Sequence, residues 1–342
     1  MRRTVFLIAS VLVSALFLWL ALRDVPLTEV VESIRQANVL WIVAALLFIA
    51  AGLWTRAVRW RGLLGFKIPP VEAFHIVNIT FLANLLPLRA GEVARSLLAT
   101  RSGVPVMTAA TSIVVERLLD TLLVVVALSI AFSQLPSIPE AATRAAALVG
   151  IASVAAFATL IFFARYPQVA HRLLDGMERL LPFFKRLPLR RLLDNILDGL
   201  KPLTQWRSAA HAIGWTLISW TFSLLTFYAL ELALGINDPA QRLMTAVLGV
   251  GLASFSIAIP VSIGSIGPFE AAVRVAGEAV QMSPVLATSL GFLFHGTTIL
   301  GYAIYGTIGL LAMGVSLSEM VGSRPSAEPS AASHSSQLSA KE

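Results

Sequence analysis

The sequence predicts an all-α polytopic membrane protein of about six full spans, with two re-entrant helical hairpins arranged as an inverted pseudo-repeat. Three observations carry that expectation. Of 342 residues, 57% are hydrophobic and only 13% charged, against about 25% charged in an ordinary soluble domain. Apolar runs of about 20 residues, the length that crosses a bilayer as a helix, recur along the chain. Two stretches that interrupt apolar sequence also share one grammar: Pro87, Gly91, Glu92, Arg95 and Pro260, Gly267, Glu270, Arg274. Each is a proline, a glycine-containing break, a glutamate and an arginine one helical turn later. Glycine, proline and ionisable groups are costly in hydrocarbon unless the backbone is broken around a polar cavity. A matched pair of such breaks points to a site between two repeats.

The elements follow in order. The run over 4–22 is longer than the 7–15-residue apolar core of a signal peptide, and no clear small-x-small cleavage site follows it, so it reads as a retained span. A second span over 39–58 leads into Arg56, Arg59, Arg61 and Lys67. The apolar stretch 70–86 runs into the first break, and a short amphipathic piece, 88–101, follows it. Spans over 107–132 and 144–164 come next. Segment 165–207 alternates apolar and basic residues at helical spacing, interrupted at Pro182, Pro188 and Pro202. It reads either as short amphipathic helices on the cytoplasmic leaflet or as a solvated linker. A span over 210–233 precedes the stretch 243–259, which runs into the second break at Pro260, Gly264 and Gly267. An amphipathic piece, 267–281, and a last span, 284–315, complete domain 1–316. The tail 317–342 is rich in Ser, Ala and Pro and is expected to be disordered.

Charge orients these elements. Arg2 and Arg3, the basic cluster after the second span, and segment 165–207 with nine basic and four acidic residues are all expected on the cytoplasmic side. An even number of crossings must then separate 67 from 165. Spans 107–132 and 144–164 supply two, so 70–101 should enter and leave on the cytoplasmic side. The same reasoning makes 239–282 a hairpin from the outer side, with both termini cytoplasmic. The repeat extends downstream: Pro105 to Glu116 is eleven positions, as is Pro284 to His295.

The ionisable residues within apolar sequence are the site candidates. Glu116, Arg117 and Asp120 stand well inside one span; Glu116 and Asp120 share a face at i, i+4, and Arg117 can pair with Asp120 at i, i+3. Arg89 and Arg95 flank Glu92. A half-helix starting near Ala90 would direct free N–H groups and arginine at a phosphate. In the second motif Pro268 suits a first helical turn, and Glu270 falls in that turn. Arg274 lies one turn on, in reach of Glu270. His295 reads as a polar lining group, because neither it nor His75 has a partner at metal-ligand spacing. An ion-pair network that only fixes helix packing is the alternative for the whole set. Trp54, Trp60, Trp206 and Trp215 read as interfacial belt residues. The chain has no cysteine, which excludes disulfides and thiolate chemistry, and no nucleotide-binding or nucleophile-elbow motif. No cofactor, metal or nucleic acid is expected; the basic residues flank apolar spans and suit anionic lipid.

Residues NLLPLRAGEVAR (84–95), VVERLLD (114–120) and IPVSIGSIGPFEA (259–271), in that order, resemble the transmembrane region of lysylphosphatidylglycerol synthase, which also occurs alone in flippase-like membrane proteins. The resemblance covers nearly the whole chain from the second span to about Gly314. It implies a multi-span fold of the bacterial cytoplasmic (inner) membrane whose broken segments bind phospholipid, and a role in moving or presenting lipid. Carried over to this sequence, it selects Pro87, Arg89, Gly91, Glu92, Arg95, Glu116, Arg117, Asp120, Pro260, Gly264, Gly267 and Glu270. Two positions depart from the pattern: Gly264-Ser265 replaces a glycine pair, and His295 stands where arginine is more typical. The aminoacyl-transfer domain of the synthase is absent from this sequence, so synthase activity is not expected. The leading expectation is a transporter of an anionic or phosphate-bearing lipid. The alternatives are an intramembrane lipid-modifying enzyme of glycolipid or hopanoid type, and a non-catalytic membrane partner of a separate lipid synthase.

Overall fold

Local signals place the helices. The computed structural model describes residues 2–86, 90–135, 140–181, 189–258 and 263–316, which form thirteen α-helices. Helices α1 (Arg2–Leu22) and α2 (Leu27–Arg35) are joined by a bend of 81°. Asn38 caps α3 (Val39–Leu63), its side chain accepting the Leu40 N–H at 2.9 Å. Proline occupies the first turn of α4 (Pro70–Ala83), α8 (Pro167–Leu180), α12 (Pro268–Ala279) and α13 (Pro284–Met313), where its missing N–H costs no helical bond. Gly314, at φ +60°, ends α13. The remaining helices are α5 (Ala90–Leu98), α6 (Val106–Ser133), α7 (Glu140–Arg165), α9 (Leu189–Leu200), α10 (Trp206–Ala233) and α11 (Pro239–Ala258).

By length and apolarity, α3, α7, α10, α11 and α13 can each cross a membrane, and the bent α1–α2 pair brings the number to six where it is counted as one broken span. Helix α6 is as long as these, at 28 residues, but every 18-residue stretch of it contains Glu116, Arg117 and Asp120. Helix α11, expected as a short hairpin arm, has 20 residues, about 30 Å of helix. Helix α4, at 14 residues, reaches only about 21 Å.

Helices α4 and α5 pack together as a helical hairpin. Its ends meet, because Ser102, just past α5, donates to the Glu72 carboxylate in the first turn of α4. Helices α11 and α12 form a second hairpin, whose ends meet where Gln241 Nε2 donates to the Val280 carbonyl at 3.1 Å. Gly91 has no room for a side chain, since a Cβ there would strike the Thr80 carbonyl and Asn84 on the other arm. Gly267 needs glycine for two reasons: its φ is +96°, and a Cβ would press on the α1 backbone at Ser14 and Leu18.

The packing order has a two-fold pattern. Helix α3 runs antiparallel along α10, with Asn38 bonded to Ala233 at one end and His211 to Val58 near the other. The helix after each hairpin then packs on the long arm of the other: α6 on α11, and α13 on α4. Beside this assembly, α8 and α9 pair through His171–Asp194 (3.2 Å) and Arg190–Asp175 (3.5 Å). Leu197 and Leu200 of α9 are buried against α6 and α7, while Leu173, Leu180 and Leu192 are exposed. Residues 317–342, including the tail read as disordered, lie outside the described residues.

Candidate functional site

A cavity of about 520 Å³ lies where the two hairpin tips meet α3, α6, α10 and α13. Leu85 and Leu86 line it from the first tip, Gly264 and Ser265 from the second. The two tips approach each other: Gly264 adopts φ +59°, and a Cβ built there would lie 3.8 Å from the Leu85 carbonyl oxygen. Seven charged side chains also line the cavity: Arg56, Arg59, Glu92, Arg95, Glu116, Arg117 and Asp120.

Arg59 organises them. It is 2% exposed, and Nη1 and Nη2 donate to both oxygens of Asp120 at 2.6 and 3.2 Å. Nε donates to Glu116 Oε1 at 3.3 Å, and Nη1 also to Thr216 Oγ1 at 3.0 Å. The i, i+4 spacing of Glu116 and Asp120 sets two carboxylates against one planar guanidinium, a fit that lysine could not reproduce. Glu116 Oε2 accepts from Arg95 Nη1 at 2.6 Å. The Arg95 guanidinium stacks on Trp60, 4.1 Å from the ring centre, and Trp60 Nε1 donates to Ser112 Oγ at 2.9 Å. Trp220 Nε1 donates to Asp120 Oδ1 at 3.1 Å. Residues from α3, α5, α6 and α10 thus share one buried network. Bonding each group to an opposite charge offsets the cost of burying it in an apolar interior.

The second motif builds a smaller constellation. Glu270, in the first turn of α12, accepts the Gly267 N–H on Oε2 at 2.7 Å. Its Oε1 lies 2.7 Å from His295 Nδ1. Phe269 stacks on the His295 ring at 4.3 Å. His295 lines the cavity; Glu270 stands behind it.

The expected site residues are placed as follows. Glu92, Arg95, Glu116, Arg117, Asp120, His295 and Gly264 line the cavity. Arg274 does not. Its Nη1 donates to the carbonyls of Leu20, Ala21 and Arg23 at 2.9–3.1 Å, capping α1, and its Nε donates to Glu278 at 2.7 Å. It is drawn there because the end of α1 leaves carbonyls without helical partners. Arg117 lies 4.0 Å from Asp120, whereas its Nε is 3.1 Å from Glu92 Oε1. Gly91 and Gly267 hold the hairpin geometry described above. Pro87, Arg89 and Pro260 lie outside the described residues.

Four residues stand elsewhere than the sequence placed them. Arg56, Arg59 and Arg61, counted with the loop after the second span, belong to α3, which extends to Leu63. Trp60, read as an interfacial belt residue, is fully buried beneath Arg95. The available signal was the spacing of Thr55, Arg56 and Arg59, which form one polar helical face. Among the described residues no group of three or more His, Asp or Glu side chains converges to hold a metal.

The fold and cavity define a polytopic helical membrane protein with a charged internal site between two helical hairpins. The chain belongs to the family of the lysylphosphatidylglycerol synthase TM region, whose model matches residues 7–306. No curated protein and no solved structure is significantly similar to it. Membership of this family makes it a membrane protein associated with lipid handling.

Proposed function

We propose that this protein is a flippase-like transporter that moves or presents an anionic, phosphate-bearing lipid across the bacterial cytoplasmic membrane. The observation that carries the reading is the cavity itself: about 520 Å³, within the ~300–1,000 Å³ range of ligand sites, and charged yet enclosed by apolar helices. Both hairpins contribute their tips to it. In this reading the hairpins are re-entrant from opposite faces and the two-fold packing order is an inverted repeat. A headgroup occupies the cavity while its tails stay in the bilayer, and the tips part alternately toward the two leaflets. The basic ends of α3 and α10, with α8 and α9, lie cytoplasmic, as do both termini. A separate lipid synthase is a suitable partner.

One observation favours a second reading, an intramembrane lipid-modifying enzyme. The Glu270–His295 pair is a carboxylate-oriented imidazole facing the cavity, the arrangement a general base requires. Proteoliposomes containing lipids with fluorescent tails and varied headgroups test both. Dithionite-protected fluorescence should exchange between leaflets, and mass analysis should recover unchanged lipid. No exchange, with a chemically altered lipid recovered, would replace transport by the enzymatic reading.

A further inference from the structure

Among the described charged groups lining the cavity, three carboxylates each face an arginine. Asp120 faces Arg59, Glu116 faces Arg59 and Arg95, and Glu92 faces Arg117. Arg56 is the fourth arginine, and no carboxylate lies in salt-bridge reach of it among the described residues. Its Nη2 donates to Ser223 Oγ at 2.9 Å, and its guanidinium carbon stands 5.6 Å from the centre of the Phe81 ring. Tyr302 packs against the same Phe81, with ring centres 4.8 Å apart. It lines the same cavity, and its hydroxyl makes no hydrogen bond with the described residues. Nearby, Arg95 is 3% exposed, and its Nε and Nη2 have no hydrogen-bond partner among the described residues.

A half-buried guanidinium in an apolar corner is costly unless an anion joins it. Among the described lining residues, four arginines stand against three carboxylates, an excess of positive charge that suits an anionic ligand. The planar fork of arginine presents two parallel N–H groups, which match the two non-bridging oxygens of a phosphodiester. Resting on the transport reading above, we propose that Arg56, with the Tyr302 hydroxyl, forms the phosphate subsite of the cavity. It selects a headgroup carrying a single negative phosphodiester over headgroups that lack phosphate. The source is a lipid rather than free phosphate, because the lining continues outward through Leu86, Phe255 and Ile257. These three are also exposed on the apolar surface, where acyl chains would lie.

The test compares the intact protein with Arg56→Gln, Arg56→Lys and Tyr302→Phe. Exchange is measured in proteoliposomes for phosphatidylglycerol, phosphatidylcholine and a glycosyl diacylglycerol bearing identical tails. Binding is measured in detergent by the rise in melting temperature with dihexanoyl phosphatidylglycerol and, separately, with glycerol phosphate and inorganic phosphate. Arg56→Gln should weaken phosphatidylglycerol binding about tenfold or more, since a charge-assisted hydrogen-bond pair is lost. Arg56→Lys should retain part of it, and exchange of the glycosyl lipid should be unchanged. Equal loss for all three lipids would make Arg56 a packing residue and overturn the proposal, as would unchanged binding. Saturation by glycerol phosphate or inorganic phosphate at the concentrations that suffice for the lipid would overturn the lipid assignment. Arg56-dependent binding without exchange of any lipid would keep the subsite and overturn transport.

Discussion

Replacing Arg59 by glutamine isolates the centre of the charge network. The side chain is 2% exposed and makes four hydrogen bonds, to both oxygens of Asp120, to Glu116 and to Thr216. Without it, Glu116 keeps Arg95 at 2.6 Å. Asp120 keeps only Trp220 at 3.1 Å and the distant Arg117 at 4.0 Å. A buried carboxylate is then left without its main counter-ion, which costs about 3–5 kcal/mol. For a chain of this size that corresponds to a fall in melting temperature of roughly 4–7 °C. The double variant Arg59→Gln/Asp120→Asn removes both charges and should recover more than half of the loss, because no unpaired ion remains. Unfolding in detergent followed by tryptophan fluorescence measures stability, and lipid exchange in proteoliposomes measures function. If the network acts in transport, the double variant regains stability but not exchange. A stable single variant, or a double variant as unstable as the single, would refute the account of Arg59. Recovery of exchange along with stability would reduce the network to a packing device.

Three further predictions follow from the packing. Cysteines placed singly at Lys67 and Arg101 should be labelled from the same face, and one at Asp238 from the opposite face. The natural chain has no cysteine, and labelling of Lys67 and Arg101 from opposite faces would remove the first hairpin. Gly267→Val should prevent accumulation of folded protein in the membrane, because φ +96° and the α1 backbone both exclude a side chain; normal expression and melting temperature would contradict the α1–α12 contact. Glu231 is 0% exposed, and its polar neighbours are the buried Arg242 and the Thr245 hydroxyl, so Glu231→Gln should lower the melting temperature by leaving Arg242 without its counter-charge. An unchanged or raised melting temperature would show that the two side chains do not act as a charge pair.

Composition and apolar run length determined that the chain is helical and membrane-embedded, because the cost of exposing backbone polar groups to hydrocarbon leaves a chain this apolar few alternatives. The Pro/Gly breaks fall where α4 gives way to α5 and α11 to α12, because local backbone chemistry is readable one helical turn at a time. The i, i+4 spacing of Glu116 and Asp120 likewise announced a shared face. Their partner was another matter. Arg59 lies 57 positions from Glu116, and beside Arg61 and Lys67 it looked like one more basic residue at the end of a span. Only the packing of α3 against α6 and α10 turned it inward. Arg274 shows the reverse: the motif repeat matched it with Arg95, yet the docking of α1 offered it unpaired carbonyls, and it left the cavity. Helical periodicity assigns a side chain to a face. Which face meets which neighbour, and therefore which charges become partners, depends on contacts between helices remote in sequence, and that was decided by the tertiary structure alone.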